Sequence, residues 1–212
     1  MSYSDHLVQS GARGEFGSAV PVRPCPGRST PTHCPRGHRL AVGGATEGWS
    51  HFYDLPLHGC NVCQELTPEA ASWCQFDPDP ARQVLAGSRE AEAGGGLCLV
   101  VHPPRMRGGV GQIALHLQRH VIGDIDVALC GPCRVGVIEH VRVDPEHRRR
   151  GYGRVLVAGA LARGSGFQWS TTAVEDTATA RAFWAAVADP AVLELGTARS
   201  CTDMRIAAGQ VE

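Results

Sequence analysis

Lysine is absent from this 212-residue chain: all 20 of its basic residues other than histidine are arginine. With 26 glycines and 14 prolines, that usage points to a GC-rich bacterial genome rather than to any chemistry. A net charge of one sign is also missing, since 20 basic and 21 acidic residues leave −1. Sequence-independent nucleic-acid binding needs a basic footprint, so nucleic acid is not an expected partner. No apolar run approaches the ~20 residues of a membrane-spanning helix. Residues 1–20 are polar and rich in Gly and Ser, without the apolar stretch of a signal peptide. The expectation is a cytoplasmic protein with no membrane partner.

Aliphatic periodicity is scarce before residue 77. Residues 1–30 are a Gly/Pro/Ser/Arg-rich stretch read as a flexible arm. Residues 31–76 carry Cys34, Cys60, Cys63 and Cys74 with His33, His38, His51 and His58, and too few aliphatic residues for a hydrophobic core alone to fold them. Nine cysteines, an odd number, argue against a disulfide framework in a cytosolic protein. Cys34-Pro-Arg-Gly-His38 and Cys60-Asn-Val-Cys63 form two close ligand pairs, and zinc prefers four N/S ligands in a tetrahedron. Cys34, His38, Cys60 and Cys63 are therefore expected to hold a structural Zn2+, with Cys25, His33, His58 and Cys74 as alternative ligands. The arrangement resembles a zinc ribbon or treble clef, with Cys-x3-His where Cys-x2-Cys is usual. The resemblance implies a module that binds a protein partner or braces the neighbouring domain. Cys130-Gly-Pro-Cys133 sits in an expected hairpin and stays open between a tight turn, a redox switch and a metal half-site with Cys98 or His102.

Residues 77–212 read as a third unit. Asp79 and Pro80 start a helix expected to reach Ala93, and Gly94-Gly95-Gly96 ends it. Leu97 to His102 is a buried strand. Ile113, Leu115, Leu117 and Val121 alternate with polar residues; Gly123-Asp124 signals a turn; Ile125, Val127 and Leu129 alternate again. After Cys130 to Cys133, Val135, Val137, Val141 and Val143 mark one face of a third strand with Glu139 among them. Residues 112–143 are thus an antiparallel meander. A helix over Tyr152 to Arg163, a strand over Phe167 to Thr172, a helix capped by Glu175 or Asp176 through Val187, and strands at Val192–Leu195 and Cys201–Ile206 complete the pattern. The fold class is a mixed α/β (α+β) sheet, mostly antiparallel and flanked by helices.

Between the third strand and the next helix, Arg148-Arg149-Arg150-Gly151-Tyr152-Gly153-Arg154 makes an anion site: helix-start N–H groups, the helix dipole and fixed positive charge converge there. Gly151 and Gly153 are expected to let the backbone approach a bulky diphosphate. A phosphate-binding P-loop would need Gly-Lys-Ser/Thr, which is missing, and a dinucleotide fold would want a glycine where Leu156 stands.

Val143-x-Pro145-x-x-Arg148-x-x-Gly151-x-Gly153 after an antiparallel strand resembles the acetyl-CoA signature of the GNAT N-acetyltransferases. The likeness runs over about residues 97–206 and is strongest at 135–187. It implies a GNAT-like sheet and acetyl-CoA as donor substrate. The diphosphate would lie on the Arg148 to Gly153 amides with Arg149, Arg150 and Arg154, and the pantetheine arm on the backbone at Val141 and Val143. Tyr152, Thr177 and Trp184 are expected to contribute to the same cofactor site. Glu139 is the candidate base, with His140 a weaker alternative. Trp184 stands where the family often has a proton-donating tyrosine, so either another group such as Tyr152 or Ser170 is the acid or no dedicated acid is used. The implied function is acetyl transfer to a primary amine of a small molecule or protein, with a homodimer left open. The alternative is a non-catalytic acyl-CoA-binding sensor with a zinc interaction module.

Overall fold

The computed structural model describes residues 20–25 and 30–210, so residues 1–19 and 26–29 of the expected arm lie outside the described residues. The described part of that arm forms a strand, β1 (Val22–Pro24), in a four-stranded sheet of order β1-β4-β3-β2. Between β1 and the hairpin lies a one-turn helix, α1 (Leu40–Gly43). Strands β2 (Ala45–Ser50) and β3 (Leu55–Cys60) pair antiparallel, helix α2 (Asn61–Leu66) follows, and β4 (Ser72–Phe76) returns along β3. The interior of this unit is small. Leu40, Ala71 and Trp73 pack with Cys34, Cys60 and Cys63, so sulfur supplies much of what aliphatic residues supply elsewhere. Its other side joins the main core, where Val22, Tyr53, Cys74 and Phe76 are buried with Leu99, Leu115 and Leu156.

The second sheet has seven strands in the order β11-β10-β9-β8-β7-β6-β5. Strands β6 (Leu97–His102), β7 (Val110–Leu117), β8 (His120–Cys130) and β9 (Val135–Val143) form the expected antiparallel meander. Helix α4 (Tyr152–Arg163) crosses over to β10 (Gln168–Thr171), which pairs parallel to β9. Helix α5 (Ala178–Val187) leads to β11 (Leu193–Glu194), parallel to β10. Val155, Leu156, Val157 and Ala160 of α4 are all buried. Each large side chain among them is worth ~1.5–3 kcal/mol by burial, which fixes the helix start that follows β9.

Several local expectations are corrected. The helix over residues 80–93 is instead a 3-10 turn at Pro80–Arg82, a short strand β5 (Val84–Leu85) and a short helix α3 (Arg89–Ala93). Gly87 at φ +77° breaks the run, and the Ser88 hydroxyl caps a new helix by accepting from Ala91 N–H. The β7–β8 turn falls at Gln118-Arg119, both at positive φ as a two-residue hairpin demands, rather than at Gly123-Asp124. Gly123 lies within β8, where a Cβ would come 2.6 Å from the Arg142 carbonyl oxygen. Thr177, not Glu175 or Asp176, caps α5. The expected strand over Cys201–Ile206 is a helix, α6 (Thr202–Ala207), of which only Met204 is buried.

Candidate functional site

Strand β9 changes character at Glu139. Ile138 faces Val127 of β8 and His140 faces Asp126, so Glu139 has no partner and forms a β-bulge. On the other edge, β10 follows β9 only to the Thr171–Ile138 pair. Thr172 closes that pairing: its N–H donates to the Ile138 carbonyl (3.1 Å) and its hydroxyl to the Glu139 carbonyl (2.8 Å). Among the described residues, no strand pairs with β9 on this edge from Glu139 to Val143. The bulge also shifts the side-chain alternation. Val135 and Val137 pack with Ala128, Cys130 and Met204 on one face, whereas Ile138, Val141 and Val143 pack against the main core on the other. Glu139 therefore does not continue a face shared by Val137 and Val141, as strict period two had it.

Two carboxylates of β8 that the sequence did not single out lie beside this point. Asp126 is opposite His140 and Asp124 opposite Arg142. Arg142 bridges both, 2.9 Å from Asp126, and Gln112 Nε2 donates to Asp126 at 3.1 Å. Their one sequence signal was the Gly123-Asp-Ile-Asp alternation, which reads as strand once the turn moves to Gln118. Burial raises the Glu139 carboxyl above its ordinary pKa; His140 opposes the rise and Asp126 adds to it. A half-buried carboxyl with a raised pKa at a bulge holds a proton more readily than a solvated one, a property that general bases share.

The end of β9 leads through a 3-10 turn, Pro145–His147, to Gly151, which caps α4 at φ +88°. The first helical bond runs from Val155 N–H to the Gly151 carbonyl (3.1 Å). The N–H groups of Tyr152, Gly153 and Arg154 are thus those a helix start leaves without intrahelical partners, the arrangement that accepts a diphosphate. The glycines have a further, internal reason. A Cβ on Gly151 would fall 2.0 Å from the Val22 carbonyl oxygen, and one on Gly153 would fall 2.7 Å from the Phe183 ring. Val22 N–H also donates to the Arg150 carbonyl at 2.8 Å. Close approach at both glycines is therefore made by the chain itself.

The remaining expected residues divide. Arg148 Nε donates to the Val143 carbonyl (3.0 Å) and braces the strand end, while Arg154 donates to the Ala186 carbonyl (2.9 Å) and ties α4 to α5. Arg149 is exposed and Arg150 half-buried at the loop. Tyr152 is 1% exposed; its hydroxyl donates to the Tyr53 hydroxyl (3.2 Å), and burial pushes its pKa up. Ser170 is fully buried, its oxygen accepting from Arg199 N–H (2.9 Å). Neither hydroxyl proposed as the acid is directed at the Glu139 bulge by the bonds it makes. Thr177 caps α5 through Ala180 N–H (3.1 Å), and Trp184 is half-buried, edge-on to Phe183 at 5.0 Å.

Cys34, His38, Cys60 and Cys63 come together, each offering one ligand atom within 4.8 Å of the others. The turn from Cys34 to His38 is closed by Cys34 N–H to the His38 carbonyl (3.0 Å), with Gly37 at φ +90°, and α2 brings Cys63 back to Cys60. Cys34 and Cys63 sulfurs are 3.7 Å apart; His38 Nδ1 is 3.5 Å from Cys34, 3.3 Å from Cys63 and 3.8 Å from Cys60. With zinc–sulfur bonds of ~2.3 Å, a tetrahedron has sulfur–sulfur edges of ~3.8 Å; the donor set fits that ion. Burial and the two neighbouring thiols push Cys63 up to about 11, a cost of ionisation that a bound cation relieves. The alternative ligands are elsewhere: His58 bonds Gln75 (2.7 Å), His33 bonds Thr32 (3.0 Å), and Cys74 is in the main core.

A family model described as the acetyltransferase (GNAT) family matches residues 49–187, well over half of the chain. No curated protein matches. Similar solved structures include E. coli YhhK, assigned as an N-acetyltransferase and bound to coenzyme A, with 26% identity over 39% of this chain and a TM-score of 0.35. A nourseothricin acetyltransferase shares 25% over 37% of the chain (TM-score 0.31). A tandem GNAT protein of the clavulanic acid biosynthesis pathway shares 27% over 41% (TM-score 0.33). The chain spans 66%, 48% and 29% of those three proteins, less than two thirds of each. From the matched family model, the chain belongs to the acetyltransferase (GNAT) family.

Proposed function

We propose that the chain transfers an acetyl group from acetyl-CoA to a primary amine, with Glu139 as the base. The observation that carries this reading is the break in β9–β10 pairing at the Glu139 bulge, on a strand that runs directly into the helix-start loop of α4. The open edge of β9 offers backbone groups near Val141 and Val143 to an extended amide-containing arm, much as a missing strand would use them. The amides of Tyr152, Gly153 and Arg154 take the diphosphate, with Arg149 and Arg150 adding charge. The donor supplies an activated acetyl thioester. Glu139 takes the proton an ammonium must lose before it attacks, directly or through water. A backbone N–H near Val141 donates to the oxyanion that develops. No side chain is assigned as the acid, and the leaving thiolate takes its proton from solvent.

In this reading Cys34, His38, Cys60 and Cys63 hold a Zn2+ with all four positions taken by protein, which makes it a structural ion. The acceptor is an amine of a small molecule or a protein.

The test is calorimetric titration with acetyl-CoA and release of free coenzyme-A thiol with a panel of primary amines. Glu139→Gln is expected to bind acetyl-CoA as the parent does and to lose ~100-fold in kcat, the scale of one positioned base. Failure to bind acetyl-CoA would remove the reading altogether. Binding without turnover on any amine would favour an acyl-CoA sensor instead, the alternative for which Trp184 in place of the tyrosine speaks.

A further inference from the structure

Cys130 and Cys133 are not isolated on their turn. The fold brings Cys201, at the start of α6, to them, and the three sulfurs lie within 4.8 Å of one another. Asp203, one residue into the same helix turn, has its Oδ2 3.3 Å from the Cys130 sulfur. Cys98 and His102, the partners expected from the sequence, are not among them. Both lie on β6, whereas the thiols converge at the β8–β9 turn.

We propose that Cys130, Cys133 and Cys201 bind a second Zn2+, with Asp203 beside the fourth position. Three thiolates from two turns are the soft, convergent donor set that selects zinc over hard cations. The Cys130–Asp203 distance of 3.3 Å is close to the ~3.5 Å sulfur–oxygen edge of a zinc tetrahedron. Binding forms a zinc–sulfur bond at each cysteine, and each thiol proton passes to solvent. Nothing is oxidised.

The site would fasten the C-terminal helix to the sheet. Helix α6 has six residues, far fewer than the ~12–15 at which isolated helices become even marginal in water. Its one buried side chain is Met204, packed on Ala128, Cys130 and Val137. The segment before it, residues 195–200, is exposed and is held by bonds from Gly196 N–H to the Thr171 hydroxyl and from Arg199 N–H to the Ser170 hydroxyl, with an ion pair from Arg199 Nε to Glu194 at 2.6 Å. A metal joining Cys201 to the β8–β9 turn supplies the fastening that this apolar contact lacks. The backbone of Asp203 and Met204 also lies against Gly108, where a Cβ would come 2.9 Å from it. The ion therefore fixes the loop between β6 and β7 indirectly, through α6.

The proposal does not depend on the acetyltransferase reading or on the Cys34–Cys63 site. Full-length protein, purified under reducing conditions in zinc-containing buffer and then desalted, is analysed for bound zinc per chain. Cys201→Ser and Cys133→Ser are each expected to carry one zinc fewer than the parent. Cys60→Ser is expected to lose a different one, so that Cys60→Ser with Cys201→Ser carries none. Hydrogen exchange over residues 196–210 is expected to quicken in Cys201→Ser. Cys133 is exposed, so its variant keeps the fold if Cys201→Ser does not. Equal zinc in the parent and in Cys133→Ser overturns the proposal. So does reduced parent protein whose zinc is lost entirely in Cys60→Ser alone.

Discussion

At the scale of single residues, the bulge decides what Glu139 can do. Held half-buried, its carboxyl titrates above the ordinary carboxylate value, and it accepts a proton only when ionised. The kcat of the parent is therefore expected to fall as pH drops through that raised pKa and to be full above it. A pH–rate profile of Glu139→Gln should lack this acidic limb, and an unchanged limb would reassign the base. Tyr152 makes the opposite case. Its hydroxyl is spent on Tyr53 inside the core. Tyr152→Phe should cost ~1 kcal/mol of stability, one net hydrogen bond, and leave kcat alone. A tenfold fall in kcat at unchanged melting temperature would return the acid role to it. The sequence placed Glu139 correctly on β9 but could not show Asp126 beside it, because that neighbour depends on a register set by the Gln118-Arg119 turn.

Among elements, the unit that matters is β9, its loop and α4. The order of strand, Pro145, Arg148 and two glycines was plain from spacing. What the glycines face was not: Val22 approaches Gly151 from more than a hundred residues away, and Phe183 approaches Gly153. Gly151→Ala meets both φ +88° and the Val22 carbonyl oxygen. It should destabilise by at least the ~1–3 kcal/mol of a strained backbone site and weaken acetyl-CoA binding. Urea melts together with calorimetry check this; a variant as stable as the parent would mean that the loop and β1 part easily. The expected helix over 80–93 failed for a local reason, since Gly87 and Ser88 stop one run and cap another. The strand expected at 201–206 failed for a distant one, because the Met204 position is set by Ala128 and Val137.

Across the whole molecule, the small sheet and the large one share a core through Val22, Tyr53, Cys74 and Phe76. Loss of metal at Cys34, His38, Cys60 and Cys63 should therefore be felt beyond the module. Chelated protein, or Cys60→Ser, is expected to melt at a lower temperature by calorimetry and to show a raised KM for acetyl-CoA, since β1 reaches the loop through Val22 and Arg150. Removal of bound zinc with no change in melting temperature would refute the structural role.

The sequence by itself determined the class of sheet, the meander, the glycine turn that starts α4 and the two close Cys/His pairs, because each rests on periodicity or on short-range spacing. Tertiary structure alone decided the rest. Where β10 leaves β9, which way Glu139 is turned, what fills the space at Gly151 and how Cys201 meets Cys130 all depend on segments far apart in the chain. Their positions follow from packing and strand register, and no local pattern encodes either.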